Sequence, residues 1–319
     1  MIECYKTDET GTTSLISEPE TGCWVNVVSP TPQEKEWVQS SLGVVPEFIR
    51  SALDEEESPH TDYDDDTGQT MIILDCASIE DAREVVDTSI VQYDTQPLSF
   101  VIIPQRKIIV TMSLHPNDTV TYLTTKRLAT IDTRQRTRLV LVALLHISQQ
   151  FLKYLRSIHR QFTKNERELQ RTMRNRELIK MLGFEKSLVY FSTSLNADET
   201  VLTRIETGRV LKLYEEDQDL LDDVLIEMRQ AAEMCSIYTD IINGITETFS
   251  SVISNNLNLT MRTLTMLALI LAIPTIIFSF YGMNVENLPF IESWIVPLII
   301  AIAGCGIALL VMWRTHFFR

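Results

Sequence analysis

Two uncharged, strongly apolar runs near the C-terminus limit this chain more than anything else in it. Residues 263–281 read TLTMLALILAIPTIIFSFY, and residues 294–313 read WIVPLIIAIAGCGIALLVMW. Each is long enough, at 1.5 Å per residue, to cross the roughly 30 Å hydrocarbon core of a bilayer as a helix. The second has tryptophan at both ends, where an interfacial belt would lie. A buried helix of a soluble protein usually carries a polar residue every few positions, so both runs read as membrane spans and the lipid bilayer as a partner.

Charge placement orients them. Arg262 precedes the first span, and Arg314 and Arg319 follow the second, whereas residues 282–293 hold Glu286 and Glu292 but no Lys or Arg. The positive-inside rule then puts both termini in the cytoplasm and the short connection outside. The start, MIECYKTDET, has neither a basic cluster nor an apolar stretch, which also predicts a cytosolic N-terminus. The expected location is the cell (plasma or inner) membrane, with two passes.

The region before the spans reads as long helices. All 11 prolines fall at or before Pro116 or at and after Pro274, leaving residues 117–273 without the main helix breaker. Helices are expected at 133–172, 176–206 and 214–281, with turns near Asn175 and Gly208. The last runs into the first span, and about 68 residues would make a rod of about 100 Å. A single helix that long cannot bury itself and needs partners.

The N-terminal part alternates short elements. Thr31-Pro32-Gln33-Glu34 is a capping box with proline at the first helical position, and Pro46 opens a second short helix ending near residues 54–57. Strands are expected at 24–28, 71–75, 89–93, 98–103 and 107–112, the last two joined by a turn at 104–106. This is an α/β domain, and the whole is an α+β membrane protein. Its parts are a cytosolic α/β domain (1–130), a long helical stalk and funnel (131–258), a first transmembrane helix (259–283), an extracellular loop (284–293), a second transmembrane helix (294–313) and a cytosolic tail (314–319).

Composition excludes several functions. The net charge is -15, and residues 1–116 carry 22 acids against 6 bases. Phosphate backbones need the opposite surface, so nucleic acid is not a partner. The five cysteines are scattered singly, without zinc or dithiol spacing, and read as buried or idle thiols. No phosphate-cradling glycine loop, nucleophile elbow or histidine cluster appears, so no enzyme is expected and no catalytic residue is nominated. In the helical region, residues 126–186 carry 15 bases and 5 acids while residues 198–247 carry 13 acids and 4 bases. Solvated faces of opposite sign packing together account for much of this.

The first span and its upstream extension carry the most informative pattern. Steps of three and four from Glu247 meet Ser251, Ser254, Asn258, Met261, Thr265, Ala268, Ala272, Thr275 and Ser279, nearly all polar or small. The other faces carry Leu259, Leu267, Leu269, Ile270, Leu271, Ile273, Ile276 and Ile277. Small residues such as Ala268 and Ala272 serve tight helix packing in lipid. Hydroxyls and amides sustained over about 30 residues are better explained by helices of an oligomer lining a wet shared axis.

At the end of this span stands Tyr281-Gly282-Met283-Asn284. Placed behind a long proline-free helix and an α/β domain, it resembles the motif of the CorA family of divalent-cation channels. Ala272-Ile273-Pro274-Thr275 resembles that family's first span, and Leu53-Asp54 with Glu57, Pro59, Tyr63 and residues 64–66, then 71–75, resembles its N-terminal domain. Two departures stand out. After the motif the chain reads Val285-Glu286-Asn287-Leu288-Pro289-Phe290 where many members have Met-Pro-Glu, and its tail has only Arg314, His316 and Arg319 instead of a lysine run.

The resemblance implies a homopentameric Mg²⁺ channel, with five first spans around the pore and the second spans outside. It implies that Tyr281, Gly282, Met283 and Asn284 form the selectivity filter. Mg²⁺ dehydrates reluctantly, so neutral amide oxygens that hydrogen-bond the hydrated ion suit its entrance. From the residues alone, Asn284 reads equally as a helix cap after glycine. Met261 and Leu264 match apolar constrictions of the family and would gate by dewetting, while Thr275 and Asn258 would serve the hydration shell. Glu247 would ring the inner end, and Glu286 and Glu292 would concentrate cations outside. Two charges moving down 100 mV yield about 4.6 kcal/mol, so no nucleotide and no organic cofactor is required. The resemblance further implies regulation by cytosolic Mg²⁺ bound between protomers, by Asp223 with Asp222 on one side and Glu80 or Asp81 on the other. Two alternatives remain open: the same architecture carrying Zn²⁺, Co²⁺ or Ni²⁺, and a membrane-anchored coiled-coil scaffold or sensor.

Overall fold

The computed structural model describes residues 1–80, 91–172, 175–283 and 295–314. Two compact units divide the chain, residues 1–246 and residues 247–319.

The first unit is built on a seven-stranded sheet. Its strands are β1 (Ile2–Thr7), β2 (Thr13–Ile16), β3 (Trp24–Val28), β4 (His60–Asp64), β5 (Gln69–Ile79), β6 (Tyr93–Ile103) and β7 (Ile108–Ser113), in the order β2-β1-β3-β7-β6-β5-β4. All neighbours are antiparallel except β3 and β7. Both faces are covered, which is why Ile72 to Leu74 and Ile108 to Met112 are almost wholly buried on alternate sides. One face packs beneath α1 (Pro32–Trp37), a π turn ending at Leu42, and α2 (Pro46–Ala52), through Val25, Val27, Val38, Leu42, Phe48 and Val110. The capping box at Thr31 and Glu34 is formed as expected. A short helix α3 (Asp118–Tyr122), capped by the Asn117 side chain, leads from the sheet toward the long helices.

The other face carries α4 (Arg136–Thr172) and α5 (Asn175–Glu206), which pack on β5 and β6. The three long helices fall within a few residues of their expected limits. α5 ends at Gly208, whose φ of 70° is the left-handed cap geometry that glycine accepts without strain. α6 then runs over 64 residues, Gln218–Tyr281, and α7 over Ile295–Arg314.

The expected strands differ in two ways. Three strands, β1, β2 and β4, carry too little apolar patterning to be foreseen: β4 is an acidic edge strand, β2 is a four-residue edge strand, and β1 mixes charged with apolar residues. The runs at 89–93 and 98–103 were expected as two strands, but residues 81–90 lie outside the described residues and Tyr93–Ile103 is one strand running through Pro97. Proline is tolerated there because β7 pairs only from Ser99 onward, so Pro97 has no second neighbour.

Beyond the end of β4 at Ile73 the edge of β5 is bare, and beyond the end of β7 so is that of β6. α5 fills both gaps with side chains. Asp198 Oδ1 accepts the Asp75 N–H at 3.0 Å, and Ser187 Oγ accepts the Tyr93 N–H at 2.9 Å. Each replaces a ladder bond that would otherwise be lost in a buried place.

Candidate functional site

The second unit consists of α6 from Glu247 onward and α7. α7 lies against α6 through small residues. A Cβ on Gly304 would stand 2.9 Å from Ile273 Cγ2, and Ala301 is buried, so helices approach closely where side chains are small. Pro274 lacks the N–H that would bond the Ile270 carbonyl one turn back. The Cys305 thiol from α7 donates to that carbonyl at 3.6 Å. This cysteine, read from sequence as idle, serves an orphaned backbone acceptor at membrane depth, where such a group is costly.

Met266, Ile270, Ile273 and Ile277 form the α6 face that α7 covers. At 100° per residue, the stripe Met261, Thr265, Ala268, Ala272, Thr275 and Ser279 stands about 150° round the helix from it. Every member of that stripe is exposed in the single chain, as are Glu247, Asn258 and Leu264. The polar face therefore points away from the chain's own second span.

The hydroxyls on this face are arranged in a particular way. Thr265 Oγ1 donates to Met261 O at 2.8 Å, and Thr275 Oγ1 donates to Leu271 O at 2.9 Å. Each spends its one proton on the helix backbone, so what it presents outward is an oxygen with free lone pairs. Such an oxygen accepts from the water of a hydrated cation and repels an anion.

At the end of α6, Gly282 N–H bonds Phe278 O at 2.9 Å and Met283 N–H bonds Phe280 O at 3.4 Å. A Cβ on Gly282 would approach Phe278 O to 3.1 Å, so the glycine keeps this last turn tight without needing a positive φ. Tyr281 closes the helix. Asn284, Glu286 and Glu292 lie outside the described residues, and so does Asp81.

The regulatory acids of the first unit sit in different environments. Asp222 and Asp223 are exposed on the first turns of α6. Asp222 accepts a 3.4 Å bond from Gln218, and Asp223 has no partner among the described residues. Glu80 is buried, and its Oε1 takes a 2.7 Å salt bridge from Lys186 on α5 while Oε2 is buried without a partner among the described residues. The carboxylate in turn holds the Lys186 ammonium above its ordinary pKa. Among the described residues, no three His, Cys, Asp or Glu side chains gather where one metal ion could bind all of them.

Sequence reasoning missed the pair Asp75 and Asp198. Asp198, counted among the solvated acids, is wholly buried, and its Oδ2 has no partner among the described residues. Asp75 Oδ2 is held by Ser194 Oγ, which also lies 3.0 Å from Thr95 Oγ1. Burial pushes the Asp75 carboxyl up to about 6, with Asp94 adding to the rise against the lowering bond from Ser194. Burial and the neighbouring Asp75 push Asp198 well above the usual carboxylate range. The signal available in sequence was weak: Asp198 shares a helix face with Ser187, Ser194 and Leu195.

An α/β unit joined to two helices long and apolar enough to cross a membrane, one with hydroxyls spaced along the face its partner leaves open, has the organisation of an integral membrane protein. The family described as CorA-like Mg²⁺ transporter protein matches residues 19–316, and the chain belongs to this CorA family of Mg²⁺ and divalent-cation transporters. The chain is 25% identical over 266 residues to the cobalt/magnesium transport protein CorA of Methanocaldococcus jannaschii, spanning 83% of this chain and 81% of that one. It is 32% identical over 92 residues to the cobalt/magnesium transport protein CorA of Thermotoga maritima, which covers 28% of this chain and 26% of that one. Among solved structures, the complete CorA magnesium transporter from M. jannaschii superposes with a TM-score of 0.79 at 20% identity, over 99% of this chain and 96% of that one.

Proposed function

We propose that copies of this chain assemble as a homopentamer around an axis lined by α6 and conduct Mg²⁺ inward down the membrane potential. The observation that carries this reading is the polar stripe on the α6 face opposite α7. A face of lone pairs turned away from the chain's own second span is costly against lipid and useful against water shared with other copies. Asn284, with Tyr281, Gly282 and Met283, forms the entrance, and the acids Glu286 and Glu292 draw cations toward it. Asn258, Thr265, Ala268, Ala272, Thr275 and Ser279 line the path, Met261 and Leu264 narrow it, and Glu247 rings its inner end. Both relatives named above are cobalt/magnesium transport proteins, so Co²⁺ is included as a second cargo. Both termini lie in the cytoplasm.

Closure belongs to cytosolic Mg²⁺. Asp223, exposed and unpaired, supplies one carboxylate, with Asp222 beside it. The carboxylate from a neighbouring copy is assigned to Asp81 or Glu80, and because Glu80 is buried against Lys186 in the single chain, Asp81 is the better of the two. Without the ion these carboxylates repel, the boundary loosens and the pore opens. The test is Mg²⁺ flux into proteoliposomes, with and without Mg²⁺ inside. Uptake that falls as internal Mg²⁺ rises supports the reading, and no uptake at any internal concentration overturns it.

A further inference from the structure

The basic and acidic helical segments were expected to neutralise one another. Their meeting is slight: Arg138 at the start of α4 reaches Asp217, just before α6, at 3.3 Å. Further along α4, Arg156, Arg160, Lys164 and Arg167 line one groove and form no ion pair among the described residues. The groove has a volume of about 710 Å³ and its other wall is Tyr238 of α6. His159 stacks on Tyr238 with ring centroids 4.7 Å apart and an interplanar angle of 11°, bridging the two helices across the groove. One acid, Glu168, stands at its rim.

Steps of four, four and three residues put the four cations on one helix face within about 17 Å. On a chain of net charge -15, with acids to spare, four neighbouring cations that form no ion pair among the described residues are not a solubility feature. They repel one another until an anion arrives. The space is an open groove whose volume is that of one small molecule. Three of the four cations are arginine, whose fork matches phosphate oxygens in pairs. The flat His159 and Tyr238 rings supply a surface for a base.

We propose that the α4–α6 groove is a binding site for a polyphosphate anion of the nucleoside triphosphate class, held by Arg156, Arg160, Lys164 and Arg167. The site stands on its own residues, whatever the chain conducts.

The test uses the full-length protein in a neutral detergent without anionic lipid, titrated calorimetrically with ATP, inorganic tripolyphosphate and inorganic phosphate. Tripolyphosphate and ATP are expected to bind at submillimolar concentration, phosphate at least tenfold more weakly, with affinity falling as salt is raised. Arg160→Ala with Lys164→Ala should weaken tripolyphosphate at least tenfold, and the pair Arg156→Ala with Arg167→Ala should do the same. Both pairs are exposed, and an unchanged elution volume shows that the fold and assembly are intact. Tighter binding of ATP than of tripolyphosphate that is lost in Tyr238→Ala assigns the base to the ring surface. No binding of tripolyphosphate at millimolar concentration, or equal affinity in both variant pairs, overturns the proposal. Dissociation of the oligomer by Arg160→Glu with Lys164→Glu, in a protein that ignores tripolyphosphate, also overturns it and gives the groove to acids of a second copy.

Discussion

Replacing Asp75 with asparagine should stabilise the N-terminal unit, and only above acid pH. Asp75 lies against α5 with its carboxyl pushed up from 3.8 to about 6, chiefly by burial. Such a group binds its proton more tightly in the folded chain than in the unfolded one. Below pH 3.8 it is protonated in both states and costs nothing. As pH rises toward 6 the folded state resists ionisation, and stability falls. Above 6 the full cost is present, about 3 kcal/mol at 1.36 kcal/mol per pH unit. Asparagine keeps the shape and an acceptor for Ser194 but never ionises, and it removes the negative neighbour that helps raise Asp198. Thermal unfolding in detergent, followed by tryptophan fluorescence with the buried Trp24 as reporter, should show little difference between variant and parent at pH 4. At pH 8 the variant should melt roughly 6–12 °C higher, on the scale of 2–4 °C per kcal/mol for a unit of this size. An advantage that is the same at both pH values, or a loss of stability at pH 8, would refute the linkage between burial and ionisation at this pair.

Other outcomes follow from the two units separately. Asp223→Lys should leave uptake intact but abolish its closure by internal Mg²⁺ in proteoliposomes, and unchanged closure would remove Asp223 from the regulatory role. Asn284→Ala should lower Mg²⁺ flux at least tenfold at equal protein density, whereas normal flux would favour a scaffold in which the spans only anchor. Cys305→Val should lower the melting temperature by several degrees, since the Ile270 carbonyl freed by Pro274 loses its donor at a cost of about 1–3 kcal/mol. Cys305→Ser should keep most of the stability because the hydroxyl still donates, and equal melting of the two variants would show that the contact contributes nothing.

Much of this protein is legible along the chain because the signals are local and periodic. Hydropathy marks residues 263–281 and 294–313 as spans, the absence of proline marks 117–273 as helical, and a period near 3.6 sorts Thr265, Thr275 and Ser279 onto one face of α6. These properties depend on neighbours a few positions away, so the one-dimensional record contains them. The edge strands β2 and β4, and β1 beside β2, lack that record, since β2 and β4 are half open to water and β1 mixes Glu3 and Lys6 among its apolar residues.

What only the tertiary structure decided are the relations between distant segments. Asp198 looks like one more acid in an acidic run, yet β5 outruns β4, leaves the Asp75 N–H bare, and takes Asp198 as its partner. Cys305 looks idle until Pro274, 31 positions earlier, leaves a carbonyl empty beside it. The polar stripe is visible in sequence, but that it turns away from α7 is a fact of packing. The cations of α4 and the acids of α6 suggest mutual neutralisation by composition, and the fold leaves Arg156, Arg160, Lys164 and Arg167 facing a groove instead. Composition counts charges, whereas the few ångströms that decide whether two of them meet are set by which helix faces the sheet buries.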